Sequence, residues 1–204
     1  MNKQELLKRL NGKNFSKPVL NAFAKTEREK FIPYRLRGSA YQDGALPIGE
    51  GQTNSQPSTI AIMLDLLDLK KGQKVLEVGS GSGYVLALLS EIVGKGGRVY
   101  GIELIPKLYK KSQETLEDYK NVKIYRKNGT QGLKEKEPFD RIIISAAVHQ
   151  VPRTILNQLK DGGILVAPQG SRFEQELIVI QKEGPDFRVI NRIPGFVFVP
   201  FIEE

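Results

Sequence analysis

The chain predicts a doubly wound α/β domain: a mostly parallel sheet with helices on both faces and antiparallel strands at its C-terminal end. Three observations carry that prediction. From residue 75 onward, short apolar runs of strand length alternate with stretches at helical spacing. The first run, Val75-Leu76-Glu77-Val78, breaks into Gly79-Ser80-Gly81-Ser82-Gly83 and resumes with Val85, Leu86, Leu88, Leu89 and Ile92. That order reads as strand, tight turn and helix. The next run, Arg98-Val99-Tyr100-Gly101-Ile102, ends in Glu103, and about twenty residues is the distance over which a βαβ unit returns a carboxylate to the same rim.

The remaining elements follow in chain order. Residues 3–10 and 17–24 read as short helices, and residues 33–57 are punctuated by Pro and Gly with little periodicity. So long an irregular stretch in a compact domain is functional or unfolded. Pro57 opens a helix to about Leu67, with Ile60, Met63, Leu64 and Leu67 on one face. Strands are expected at 99–103, 122–125, 141–145 and 164–167, and helices at 106–119 and 152–159. Residues 176–181 and 196–201, with Gly184-Pro185-Asp186 between them, are expected to close the sheet edge as antiparallel strands. Residues 1–204 thus form one domain, with N-terminal helices and a lid-like segment over 1–57 and a nucleotide-binding α/β core over 58–204.

Composition excludes several chemistries. The 204 residues suffice to bury a core without staples. With no cysteine, disulfides, thiolate metal sites and thiol catalysis are out, and a single histidine, His149, leaves no multi-histidine metal site. No metal is expected. His149 reads as a rim or surface residue. No apolar run approaches a membrane span, and the first residues lack the apolar core of a signal peptide, so a cytoplasmic location is expected; a monomer is taken as the oligomeric state. The net charge is +8 (31 minus 23), which invites nucleic acid as a partner. Yet the cations are interspersed: Lys107, Lys110 and Lys111 share a helix with Glu114, Glu117 and Asp118, and Lys134 and Lys136 alternate with Glu135 and Glu137. That is how a solvated surface reads, and no nucleic-acid partner is expected.

The glycine-rich turn lets a ligand approach the backbone and offers it the unpaired N–H groups of the following helix. Alone it does not say which ligand. Glu77, two residues before the first glycine, suits an ammonium group and repels a pyrophosphate. Gly79-Ser80-Gly81-Ser82-Gly83 also lacks the third spacing of the dinucleotide fingerprint. Glu103 is placed for ribose hydroxyls. The balance favours S-adenosylmethionine (SAM) over a nicotinamide dinucleotide, against the plainer reading of both glutamates as solvated strand-end charges. Asn128-Gly129-Thr130 and Ser145-Ala146-Ala147 fall on the same rim.

A second segment narrows the reading. Leu46-Pro47-Ile48-Gly49, leading to Gln52-Thr53-Asn54-Ser55-Gln56-Pro57, resembles the signature of protein-L-isoaspartate O-methyltransferases. Matching context lies upstream in Arg28-Glu29-Lys30-Phe31-Ile32-Pro33 and Tyr41-Gln42-Asp43. It continues downstream in Asp140-Arg141-Ile142-Ile143, Gln158-Leu159-Lys160-Asp161-Gly162-Gly163 and Phe198-Val199-Pro200. The resemblance spans about residues 19–200. It implies the class I SAM-dependent methyltransferase fold and methylation of the α-carboxyl of L-isoaspartyl residues in damaged proteins and peptides, which starts their repair to aspartyl.

Carried over by position, the resemblance implies an active-site serine at Ser55. It implies cofactor contacts at Gln52, Thr53, Asn54 and Ser55, at Glu77, Gly79, Ser80, Gly81 and Gly83, at Glu103 and Leu104, and at Asn128 and Gly129. The chain departs from the usual pattern in having Asn128 where relatives have Asp, Asn54 where they have an apolar residue, and Val148-His149 where they have Ala-Pro. An Asn128 carbonyl is expected to accept from the adenine amino group without charge assistance. The acceptor carboxylate, with a pKa near ~4, is already ionised at neutral pH, so the reaction needs alignment rather than a strong base. Ser55 is then an orienting donor, with helix capping as its alternative role. A SAM-dependent RNA methyltransferase and a non-catalytic SAM-binding module are the two rival functions.

Overall fold

A computed structural model describes residues 1–202. The larger of the two sheets has seven strands in the order β5-β4-β3-β6-β7-β8-β9. Its parallel strands are β3 (Lys74–Val78), β4 (Arg98–Glu103), β5 (Val122–Arg126), β6 (Phe139–Ile144) and β7 (Leu159–Gly170). Strand β8 (Gln175–Glu183) runs antiparallel to both β7 and β9 (Asp186–Phe196). Chain order reverses between β3 and β6, which puts the ligand crevice beyond their carboxyl ends.

Neighbouring residues of the central strands are buried on opposite faces. Val75, Val99, Ile143 and Val166 join one core, whereas Leu76, Tyr100, Ile142 and Leu165 join the other. This is why these strands read as continuous apolar runs instead of alternating ones. The first core is covered by α1 (Lys3–Asn11), α2 (Lys17–Lys25), α3 (Pro57–Leu66) and α4 (Tyr84–Val93). Helix α5 (Pro106–Thr115) packs on β4 and β5. The second core meets α6, a single turn over Arg153–Leu156. The helix expected over 152–159 is cut short because β7 already begins at Leu159 and pairs there with Phe139.

Two further expectations require correction. Residues 33–57 are not irregular throughout: β1 (Leu46–Gly49) and β2 (Gln52–Asn54) form a hairpin. Its turn residues Glu50 and Gly51 have φ of 52° and 71°, the double left-handed geometry that matches hairpin twist. A glutamate in that position gives no turn signal, so the hairpin was hidden. The final strand is Asp186–Phe196, not 196–201. Strand β9 is largely exposed and therefore lacks an apolar period. Residues 197–201 are apolar for another reason: they leave the sheet and run beside Ala147. There the Ala147 N–H donates to Val199 O (2.8 Å) and the Phe201 N–H to Ala147 O (2.9 Å).

Candidate active site

The turn after β3 is built by its backbone. Gly79, Gly81 and Gly83 have φ of 80°, 52° and 84°, a region that L side chains rarely enter. Gly83 precedes α4, and a Cβ there would lie 2.7 Å from Leu116 Cδ1. The N–H groups of Gly79 and Ser80 donate to Ile102 O at 2.9 and 3.0 Å, and the Gly83 N–H to Ser80 O at 2.8 Å. Glu103 completes the lock: its carboxylate accepts from the Gly81 N–H (2.7 Å) and the Ile105 N–H (2.8 Å). Burial raises the Glu103 pKa, opposed by the backbone N–H groups of Ile105, Gly81 and Leu104.

Glu77 is the more deeply buried of the two acids. Burial pushes its pKa up to about 8; the Ser145 hydroxyl, donating at 2.7 Å, opposes that rise, and the nearby Glu103 charge adds to it. Its second oxygen, Oε2, is buried with no hydrogen-bond partner among the described residues. An orphaned buried carboxylate oxygen is costly. It is what a site built for a cationic ligand group would hold ready, so the residues present fit SAM, whose amino acid end carries an ammonium.

A cavity of about 550 Å³, counting its open mouth, lies on the rim. Seven of the expected residues line it: Gln52, Thr53, Gly79, Gly81, Glu103, Leu104 and Gly129. Gly129 has to be glycine, since a Cβ would lie 2.6 Å from Val78 Cγ1 and 2.8 Å from Phe201 Cζ. Ser145 and the tail residues Val199, Pro200, Phe201 and Ile202 complete the wall. The tail's part in the site had been obscured by its strand-like apolar pattern.

The other expected residues are not among the lining. Ser80 and Gly83 belong to the turn itself, and Glu77 sits beneath it, joined to Ser145. The Asn128 carbonyl oxygen accepts from the Thr130 N–H (2.9 Å) and hydroxyl (2.8 Å), capping its own turn. Asn54 is buried, and its amide donates to Ser82 Oγ (3.3 Å). Ser55 is half-buried, directly after β2. It does not cap α3: the capping position is Gln56, and Asp43 Oδ1 accepts from the Ser58 N–H at 2.9 Å.

Sequence reasoning missed Arg28. Its fully buried guanidinium donates to the carbonyls of Ala40 (2.8 Å), Gln42 (3.1 Å), Gly44 (3.0 Å), Asn54 (3.2 Å) and Ser55 (2.9 Å), and to Asn54 Oδ1 (3.2 Å). It also lies 5.9 Å from the centroid of the Tyr84 ring. Burial lowers its pKa while Tyr84 and Asp43 oppose the shift, and a guanidinium stays charged regardless. Between Glu27, Glu29 and Lys30 it looks like one more surface charge, and only its place within the family motif hinted otherwise.

The geometry agrees with comparisons to known proteins. A family model described as protein-L-isoaspartate(D-aspartate) O-methyltransferase matches residues 1–204. A protein-L-isoaspartate O-methyltransferase of Methanothrix thermoacetophila is 44% identical over 205 residues, covering 99% of this chain and 95% of that one. A solved protein-L-isoaspartate O-methyltransferase superposes with a TM-score of 0.88 at 28% identity, covering 97% of this chain but 65% of the other. A candidate enzyme of the same kind from Plasmodium falciparum, solved with S-adenosyl-L-homocysteine (SAH), superposes at 0.86 with 27% identity and full coverage of both chains. The chain therefore belongs to the protein-L-isoaspartate(D-aspartate) O-methyltransferase family.

Proposed function

We propose that this chain carries out its family's reaction, the SAM-dependent methylation of the free α-carboxylate of L-isoaspartyl residues in damaged proteins and peptides. The ester so formed collapses to a succinimide that can reopen as aspartate. One observation carries the reading: a single cavity is walled on one side by Gly79, Gly81 and Glu103 and on another by Gln52 and Thr53. The second wall leads directly to Ser55. Cradle and acceptor signature thus meet at one place.

When bound, the cofactor supplies a methyl group on a sulfonium. The protein's own residues bind and align. Each Glu103 oxygen has a second lone-pair site beyond its backbone bond and can accept a ribose hydroxyl. Glu77 Oε2 takes the ammonium, and Leu104 and Gly129 flank the adenine. Ser80, Gly83 and Asn128 shape the turns behind these contacts, and Gln52, Thr53 and Asn54 form and back the wall toward the acceptor. Ser55 follows Thr53 by two residues, directly after β2. Its hydroxyl donates to the acceptor carboxylate, which is already ionised and needs orientation and shelter from water.

Among the described residues no group of acids and histidines could hold a metal, and no helix is long and apolar enough to cross a membrane. We read the protein as a cytoplasmic monomer without a nucleic-acid partner. Exposed pairs such as Lys107–Glu50 and Arg188–Glu183 mix the two charge signs across the surface and speak against a nucleic-acid footprint. Incubation with methyl-labelled SAM tests the function against its rivals. Base-labile label should appear on an isoaspartyl peptide and not on its aspartyl twin. Equal labelling of both peptides, or label on RNA alone, would sink it.

A further inference from the structure

Asn54 stands where two parts of the molecule touch. Its carbonyl oxygen accepts from Arg28 Nε (3.2 Å), and its amide donates to Ser82 Oγ (3.3 Å) within the glycine-rich turn. The same guanidinium grips the backbone carbonyls of Asn54 (3.2 Å) and Ser55 (2.9 Å). Asn54 is 5% exposed and Ser82 6%, so water does not compete for these bonds. A buried amide has two hydrogen-bonding ends, and here each end is held by a different structural unit. An apolar residue would fill the space and join nothing.

We propose that Asn54 is a positioning residue for methyl transfer: it ties the Arg28-held segment bearing Ser55 to the cofactor turn and so sets Ser55 relative to the cavity. The proposal rests on the assignment of Ser55 to the methyl acceptor. Asn54 touches neither reacting group. It acts through the backbone of residue 55 on one side and through Ser82 on the other. Its loss therefore weakens acceptor alignment, whereas Gly79, Gly81 and Glu103 keep their own backbone bonds to β4 and to each other.

Asn54→Leu keeps the number and branching of the side-chain heavy atoms and removes both bonds. It should raise the KM for an isoaspartyl peptide about tenfold, leave the SAH dissociation constant within twofold by calorimetry, and speed amide exchange at residues 52–55. Asn54→Asp, whose carboxylate can accept from both Arg28 and the Ser82 hydroxyl, should recover most of the peptide KM. Ser82→Ala should reproduce part of the defect, and adding it to Asn54→Leu should cost no more than Asn54→Leu alone. An unchanged peptide KM in Asn54→Leu, or a SAH dissociation constant rising by the same factor as that KM, would overturn the proposal. Ser55→Ala, measured alongside, separates the two ideas. Full activity there removes the Ser55 assignment, whereas a defect there with a normal Asn54→Leu removes only the strut.

Discussion

The cofactor turn and the acceptor segment are both irregular stretches on the same rim, but they are held by opposite means. The turn from Gly79 to Gly83 is fixed by its own backbone: three positive φ angles, bonds to Ile102 O, and the Glu103 carboxylate as a clasp. The acceptor segment has the short β1–β2 hairpin, but its remaining carbonyls converge on one side chain, Arg28. A backbone-built site has few alternatives and stays preorganised. A site hung on one guanidinium depends on a single residue.

The largest effect should come from cutting that one tie. Arg28→Met leaves five buried or half-buried carbonyls without their donor and should cost about 4 kcal/mol, or roughly 10 °C in Tm for a domain of this size. In what remains folded, the peptide KM should rise far more than the SAH dissociation constant. If the two rise together, the acceptor segment and the turn are not separately held. Gly83→Val attacks the other region. It combines a φ of 84° with a clash against Leu116 and should cost about 3 kcal/mol. Calorimetry should find SAH binding lost, and retained binding would show that the turn tolerates rebuilding.

This contrast also explains what could be read from the sequence. Glycines at 79, 81 and 83 are demanded by backbone geometry, so they announce the turn in any chain that needs it. Glu103 was located by the length of a βαβ unit. Arg28 had no such announcement, because a buried arginine and a solvated one look alike between Glu27 and Lys30. The family resemblance found Gln52 to Pro57 without showing what holds them. Strand β9 went unseen because its residues face water on both sides, and the apolar run 197–201 was read as a strand because it covers a cavity.

A pH effect sharpens the comparison from the cofactor side. Glu77 is held near pKa 8 in the folded protein against 4.5 for an ordinary glutamate. Between those values the folded chain keeps a proton that the unfolded chain has lost. Stability therefore falls as pH rises from about 5 to 8 and levels off above. Glu77→Gln should flatten that part of the Tm profile. An unchanged slope would mean that Glu77 is ionised in the free enzyme. Binding of an ammonium beside Glu77 favours its charged form, so SAH binding near pH 7 should release up to one proton, read from calorimetry in two buffers of different ionisation enthalpy.

The smallest effect belongs to Asn128. Because its carbonyl oxygen caps its own turn at Thr130, Asn128→Asp should change the SAH dissociation constant less than threefold and stabilise the turn by about 0.5 kcal/mol. A tenfold gain in affinity would instead place that side chain against the adenine, as the sequence alone had suggested.

The most direct test of a cofactor turn and an acceptor segment with separate duties is Ser55→Ala, with turnover, SAH affinity and Tm measured on one preparation. Gln56 holds the capping position and Asp43 bonds the first turn of α3, so Tm should stay within about 2 °C. The SAH dissociation constant should stay within a few-fold while kcat for an isoaspartyl peptide falls at least tenfold, about 1.4 kcal/mol of lost transition-state stabilisation. Full turnover with a lowered Tm would contradict this division of labour and make Ser55 a structural residue.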